Sequence, residues 1–233
     1  MAEPKVCVSL EAITVEEMID EATRANIAGA DYVEVRFDKL YLNKPEPITM
    51  VNDDGEEYSK MPPIEEWGVK DFEEIDVEQA IANLKEGIPV PVVFTTRAVR
   101  EGGFFAGTEQ ERLQILELGI KSEVSFVDLE LSIEKKSRDK LVKLASSSNC
   151  QVIASIHETK ATPSAEEIVT MVRDNSSQGD IVKFCSNVSS HQDALQIFQA
   201  ANSLVGQDST HSLMGLGNGC LLYTSDAADD GYR

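Results

Sequence analysis

Short apolar segments alternate with longer segments of helical periodicity along this chain, and no other feature restricts its possible folds as strongly. The candidate strands lie at 6–10, 32–37, 91–97, 126–131, 151–157, 180–185 and 211–215. The candidate helices lie at about 15–28, 77–86, 110–121, 135–146, 164–173 and 191–204. Successive βα units of roughly 25 to 35 residues predict a parallel sheet, because parallel neighbours need a crossover helix between them.

The repeat has recognisable helix starts and one interruption. Thr14 followed by Glu17 predicts a capping box, and Ser164 followed by Glu167 predicts another. Residues 42–76 are acidic and rich in turn-forming residues, which favours a solvated surface insertion between the second and third strands.

Polar residues fall on one face of the candidate strands. Side chains alternate sides along a strand, so Glu34, Arg36 and Asp38 share a face that opposes Val33 and Val35. By the same alternation, the polar faces of the other candidate strands carry Ser9, Arg97, Asp128, Glu130, His157 and Lys183. A closed (β/α)8 barrel with helices over the apolar faces fits this pattern. A doubly wound open sheet is the alternative, but its central strands would be apolar on both faces.

Lys183 is a lone ammonium inside the apolar run 180–185. Burial disfavours the charged form of a lysine and lowers its pKa, which makes the amine nucleophilic towards carbonyl carbons. The alternative is a lysine at a strand end whose head reaches water. For Asp128 and Glu130 the alternative to a functional role is a structural ion-pair network inside a barrel.

Charge and composition restrict the class of partner and compartment. The 233 residues carry 21 Lys and Arg against 41 Asp and Glu, a net charge of −20, which argues against nucleic acid and anionic membranes as partners. Met1 leads almost directly into an apolar strand, so we expect no secretory signal, and no segment approaches membrane-spanning length. The four cysteines, Cys7, Cys150, Cys185 and Cys220, lack metal-binding spacing. Three of them lie in or beside strands, where we expect buried free thiols, and a reducing cytoplasm is the simplest compartment.

Five motifs occur in order at the ends of these strands, and together they resemble the type I 3-dehydroquinate dehydratases. The motifs are Glu34-Val-Arg-Phe-Asp38, Phe94-Thr-Thr-Arg97 with Glu101-Gly-Gly103, Val127-Asp-Leu-Glu-Leu131, Ser155-Ile-His157 and Asp180-Ile-Val-Lys183. The resemblance covers about residues 5–217. It implies a (β/α)8 barrel and the dehydration of 3-dehydroquinate to 3-dehydroshikimate.

The resemblance also implies a role for each site residue. Lys183 would form an imine with the substrate ketone, and His157 would remove the adjacent proton and then protonate the leaving hydroxyl. Glu34 would be the third catalytic residue, close to both, where it holds their position and proton balance. Ser9, Glu34, Arg36 and Arg97 would contact the anionic substrate. The supporting positions are Asp38, Glu101, Asp128, Glu130 and Met214. The resemblance implies neither a metal nor an organic cofactor, and it suggests a homodimer.

The chain departs from the family pattern in two places. Lys160 stands where some members carry a second histidine, and His191 and His211 match no family position. Residues 220–233 lack helical or strand periodicity and resemble a translated sequencing adapter, so we expect a non-native tail there. The predicted organisation is one truncated barrel domain over 1–219, without the eighth strand and the lid of the family.

Two alternatives to this function remain open on the sequence. Another lysine-imine barrel enzyme, such as an aldolase or transaldolase, could also place its lysine on the sixth strand. A barrel protein that binds ligands without catalysis would need no reactive amine at Lys183.

Overall fold

The structure, a computed structural model, describes residues 5–52, 54–206 and 210–217. The chain divides into two compact units, of which the first ends at Ser122 and the second begins at Glu123. The single domain expected over 1–219 stays a prediction. Its last residues, together with Cys220 and the tail 220–233, lie outside the described residues.

The first unit contains three parallel strands that are neighbours in chain order. Strand β1 (Cys7–Ser9) pairs with β2 (Tyr32–Arg36), and β2 pairs with β3 (Val92–Thr95). The helices of this unit are α1 (Val15–Ile27), α2 (Val77–Gly87) and α3 (Glu109–Lys121).

The second unit repeats this organisation with four parallel strands. The strands are β4 (Phe126–Glu130), β5 (Gln151–Glu158), β6 (Ile181–Asn187) and β7 (His211–Leu216), paired in that order. The helices that connect them are α4 (Lys135–Ser147), α5 (Ala165–Asp174) and α6 (His191–Leu204).

Helix starts are fixed by side chains that accept hydrogen bonds from otherwise unpaired backbone N–H groups. Thr14 accepts from the Glu17 N–H at 3.2 Å at the start of α1. Ser164 and Glu167 form the predicted reciprocal capping box at the start of α5. Such caps contribute about 1 kcal/mol each, which is enough to set where a marginal helix begins.

The apolar face of β6 shows how the core forms in the second unit. Val182 and Phe184 are buried, and they pack in one cluster with Ile168 and Val172 of α5 and Ala200 of α6. Burying a side chain of this size contributes roughly 1.5–3 kcal/mol. Because side chains alternate along a strand, the same packing turns Lys183 towards the opposite face of β6.

The fold class is the predicted one. In each unit the strands that follow one another in sequence are hydrogen-bonded parallel neighbours joined through a helix, as in a (β/α) barrel. No reversal of strand order occurs within either unit, whereas the doubly wound alternative requires one. Seven predicted strands and six predicted helices are confirmed to within a few residues at their ends.

The insertion holds an antiparallel hairpin, Ile48–Val51 with Glu57–Lys60, and the short pair Leu42–Asn43 with Gly68–Val69. The strand residues of the hairpin are all exposed, whereas Leu42 is buried. One local prediction needs correction. Cys7 is exposed rather than buried, because β1 packs none of its three residues, whereas Cys150 and Cys185 are buried as predicted.

Two strands end earlier than the sequence pattern predicts. Asp38 lies in a 3-10 turn, Phe37–Tyr41, rather than in β2. Arg97 follows β3, which ends at Thr95. Within the parts of the chain that the structure describes, no helix is long and apolar enough to cross a bilayer.

Candidate active site

In the second unit, a buried carboxylate holds the amine of Lys183. The side chain of Lys183 on β6 is 14% exposed, and its Nζ lies 3.3 Å from Oδ2 of Asp128 on β4. The Asp128 side chain is completely buried, and the hydroxyl of Ser155 on β5 donates a hydrogen bond to its other oxygen, Oδ1. Three neighbouring strands thus contribute one residue each to a Lys–Asp–Ser cluster.

Strand register explains why these residues meet. Lys183 pairs with Ser155 and Asp128 pairs with Ile153, so the polar side chains of β4, β5 and β6 lie on one face. His157 is two residues beyond Ser155 and shares that face, level with Cys185 on β6. His157 is half-buried, as is expected of a group that can reach both a substrate and water.

Two supporting residues also belong to this face. Glu130 pairs in register with Ser155 and is 1% exposed. Met214 of β7 pairs with Cys185 and is 38% exposed, so it lies on the same side of the sheet as Lys183 but near its surface.

In the first unit, an arginine and an aspartate form a two-point ion pair at the end of β2. Arg36 donates from Nε to Oδ1 of Asp38 at 2.9 Å and from Nη2 to Oδ2 at 2.7 Å. The Asp38 side chain is fully buried, and its Oδ2 also accepts the Phe104 backbone N–H at 3.0 Å. The guanidinium carbon of Arg36 lies 5.8 Å from the centre of the Phe104 ring. The fork is therefore fixed in plane and direction.

The electrostatics of Arg36 combine burial with two carboxylates. Burial by itself lowers the pKa of Arg36, but the Asp38 carboxylate and the charge of Glu34 raise it further than burial lowers it. The neighbouring charge of Arg97 opposes this rise, and the pKa of Arg36 is raised on balance. The charges of Glu34 and Arg97 thus act in opposite directions on Arg36 within the first unit.

Glu34 and Ser9 occupy neighbouring strands. Ser9 on β1 pairs in register with Glu34 on β2, so both side chains lie on the same face. Glu34 accepts a hydrogen bond from the Thr95 hydroxyl of β3 at 2.9 Å. Ser9 is exposed, whereas Thr95 is 1% exposed.

The turn after β3 packs closely against Arg97. Arg97 is 4% exposed, and its carbonyl accepts the Phe105 N–H at 3.1 Å. A Cβ atom on Gly103 would lie 2.2 Å from that carbonyl oxygen, so the turn requires glycine there. Glu101 is half-buried in the 3-10 turn Val99–Glu101.

Three residues of the site were not among those that the sequence singled out. The hydroxyls of Thr95 and Ser155 each donate a hydrogen bond to a carboxylate of the predicted site, and Phe104 contacts both Asp38 and Arg36. Strand alternation places both hydroxyls on the polar faces, so it could have identified Thr95 and Ser155. Phe104 lies in a loop, where alternation carries no information.

The second unit has the groups that an amine needs to attack a carbonyl carbon. They are a nearly buried lysine, a fixed counter-charge and a histidine on the same face of the sheet. The first unit has fixed guanidinium groups, which suit oxyanions and hydroxyls. Among the residues that the structure describes, no three His, Cys, Asp or Glu side chains cluster as metal ligands.

These features define an α/β-barrel enzyme with a lysine-bearing polar strand face. The family model described as Type I 3-dehydroquinase matches residues 6–219. The chain belongs to this family, the hydro-lyases that dehydrate 3-dehydroquinate.

Named relatives agree with this assignment. The 3-dehydroquinate dehydratase of Methanocaldococcus jannaschii is 32% identical over 166 residues, which are 70% of this chain and 70% of the relative. The solved 3-dehydroquinate dehydratase of Enterococcus faecalis has a TM-score of 0.74 and 23% identity, over 95% of this chain and 83% of that one. The type I enzyme of Clostridium difficile, solved with covalently modified comenic acid, has a TM-score of 0.73 and 22% identity, over 95% and 78% of the respective chains.

Proposed function

We propose that this chain dehydrates 3-dehydroquinate through an imine on Lys183, with His157 as the proton-transfer group. The observation that carries the proposal is that the nearly buried amine of Lys183 lies on the same face of the sheet as His157, on the neighbouring strand. Membership of the type I family supplies the reaction. Lys183 is also the lysine of the fifth family motif.

The proposed steps balance as follows. The Lys183 amine adds to the substrate ketone and water leaves, giving a protonated imine that draws electrons from the adjacent carbon. His157 takes a proton from that carbon, and the electron pair forms an enamine. His157 then returns the proton to the departing hydroxyl, which leaves as water. Hydrolysis of the imine frees 3-dehydroshikimate and restores the amine.

Asp128 and Ser155 serve the same steps in this proposal. The protonated imine carries the positive charge of the ammonium that precedes it, so the Asp128 carboxylate can balance both states without moving. Ser155 fixes that carboxylate through its hydroxyl. A counter-charge held in place before the reaction requires no reorganisation when the charge forms.

The substrate is an anion with several hydroxyls, and we assign its binding to Ser9, Glu34, Arg36 and Arg97. The Asp38 pair orients the Arg36 fork in advance. Fixed guanidinium groups bind a carboxylate with less entropic cost than mobile ones. They also provide positive potential in a chain of net charge −20.

The test is reductive trapping together with turnover. Borohydride reduction of the protein with 3-dehydroquinate should add the mass of one reduced, dehydrated substrate at Lys183. Lys183→Ala should form no adduct and lose at least about a thousandfold in kcat. The matched control is Lys135→Ala, whose side chain is 82% exposed and pairs with Asp139 on α4. An adduct on another lysine, or an adduct formed with sugar phosphates instead, would contradict the proposal.

Compartment and assembly are part of the same proposal. Cys150 and Cys185 are buried thiols, which suits a reducing cytoplasm. We expect a homodimer, as the family resemblance implies. Size-exclusion chromatography with light scattering should give twice the mass of 25.6 kDa, and a mass that stays at one chain over a wide concentration range would refute the dimer.

A further inference from the structure

Arg112 on α3 is a buried cation that the proposed chemistry does not use. It is 1% exposed, and it is among the largest side chains that are fully buried in the described part of the chain. A buried guanidinium is costly unless its donors are satisfied, so its partners indicate what the residue does.

One partner is the backbone immediately before the substrate-binding arginine. The Nη1 of Arg112 donates to the Thr96 carbonyl at 3.0 Å, and Thr96 precedes Arg97. The Arg97 carbonyl is itself bonded to the Phe105 N–H, and Gly103 packs directly against it. Arg112 therefore completes the immobilisation of the segment that directs Arg97.

The second partner links Arg112 to the turn that carries Glu101. Glu109 accepts from Arg112 Nη2 at 2.7 Å and from Arg112 Nε at 3.0 Å. The same carboxylate accepts from Arg100 Nη1 at 3.0 Å. Arg100 belongs to the turn Val99–Glu101, so the Arg112–Glu109–Arg100 chain ties this turn to α3.

A second buried arginine shows what a purely structural role looks like. Arg138 on α4 is 4% exposed and donates to the side chain and carbonyl of Gln178, at 3.1 and 2.6 Å. Gln178 belongs to none of the motifs that mark the site. Arg112 and Arg138 are thus comparable in burial but differ in what they hold.

We propose that Arg112 is a positioning residue that holds Arg97, and the turn bearing Glu101, in the orientation that binds substrate. The inference rests on the proposed role of Arg97 in substrate binding. Arg112 touches neither the substrate nor the reacting atoms in this account. Its effect should therefore appear in substrate affinity and not only in stability.

The experiment compares Arg112→Met with Arg138→Met. Both variants lose a buried guanidinium, so both should lower the melting temperature. Arg112→Met should raise KM for 3-dehydroquinate about tenfold, because a displacement of Arg97 weakens its fork. Arg138→Met should leave KM within about twofold of the parent. An unchanged KM in Arg112→Met, or an equal rise in Arg138→Met, would overturn the proposal.

Two further variants separate the positioning role from a loss of folding and from an error in the role assigned to Arg97. Arg112→Lys keeps a donor towards Thr96, so its KM should lie between the KM of Arg112→Met and that of the parent. In the Arg97→Gln background, Arg112→Met should add no further rise in KM, because the group it positions is gone. A further tenfold rise in that background would refute the positioning role. If Arg97→Gln itself leaves KM unchanged, the substrate-binding role of Arg97 is wrong while imine formation at Lys183 still stands.

Discussion

The polar site residues of the second unit all lie within strands, whereas some of those in the first unit lie beyond them. In the second unit Asp128, Ser155 and Lys183 all lie within strands, and their contacts follow from register and alternation. In the first unit Asp38 lies in the 3-10 turn Phe37–Tyr41 beyond β2, and Arg97 lies just after the end of β3. Their orientation depends on particular hydrogen bonds to the backbone of the loop 98–105.

This contrast separates two kinds of task. A strand face gives a reactive group little freedom, which suits a nucleophile that must meet a carbonyl carbon in one direction. A turn can bring arginine forks to a ligand from several directions, provided that its own backbone is bonded in place. We therefore expect changes in the second unit to act on kcat and changes in the first to act on KM.

The largest expected effect belongs to His157. His157→Gln keeps the size and polarity of the side chain but removes its proton transfer, so kcat should fall about 10³-fold. Imine formation does not need His157 in the proposed steps, so borohydride should still trap the substrate on Lys183. His191→Gln, an exposed position at the start of α6, is the control and should keep normal activity. A comparable loss in the control, or a wild-type kcat in His157→Gln, would break the proposed division between the units.

Asp128 should have the next largest effect, on stability as well as on rate. Asp128→Ala removes a buried carboxylate that pairs with Lys183, and removing one partner of such a pair costs about 3 kcal/mol of unfolding free energy. Ser155→Ala removes the hydrogen bond to Asp128 and should cost about 1 kcal/mol. Urea denaturation measures both. The paired change Asp128→Leu with Lys183→Met should recover most of the stability, and a double variant as unstable as Asp128→Ala would argue against the ion pair.

Asp38→Asn examines the first unit in the same way. The amide cannot accept two hydrogen bonds from Arg36, so the fork loses its fixed plane and KM should rise about tenfold while kcat changes little. Asp139→Asn breaks an exposed ion pair with Lys135 and should change neither constant. A fall in kcat without a change in KM would show that Arg36 acts on the chemical step and not on binding.

The features that lie within strands were predictable from the sequence, because side chains in a folded strand alternate between its two faces. The pattern of Val182, Lys183 and Phe184 predicted which side of β6 is apolar, and the packing cluster agrees. Register then brings Lys183 and Ser155 together without further information. The fold class was predictable for the same reason.

Turn-borne features were not predictable in the same way. Asp38 was placed on a strand by extending the alternation of β2, but the chain turns at Phe37. The contact of Phe104 with Asp38 joins residues 66 positions apart through a backbone N–H, which no periodicity encodes. Cys7 was expected to be buried because strand cysteines usually are, but β1 packs none of its residues. Arg112 gave no signal, since an arginine in a helix usually faces solvent.

The smallest expected effect concerns Glu109, whose carboxylate joins Arg112 to the turn of Arg100. Burial raises the pKa of Glu109, but hydrogen bonds from Arg112 and Arg100 lower it further, so the pKa in the folded protein lies below its ordinary value. A lowered folded pKa means that the carboxylate stabilises the fold above the unfolded pKa, about 4.3, and that this stabilisation disappears as the pH falls through the folded pKa.

Glu109→Gln should therefore cost stability at neutral pH and progressively less below about pH 4. The expected loss at neutral pH is about 0.5 kcal/mol, because the side chain is 37% exposed and solvent screens the charges. Chemical denaturation from pH 3 to pH 7 measures the difference, with Gln110→Ala, a neutral exposed neighbour on α3, as the control. If the difference stayed constant with pH, the bonds to Arg112 and Arg100 would not favour the ionised carboxylate. The first unit would then hold its turn by packing rather than by charge.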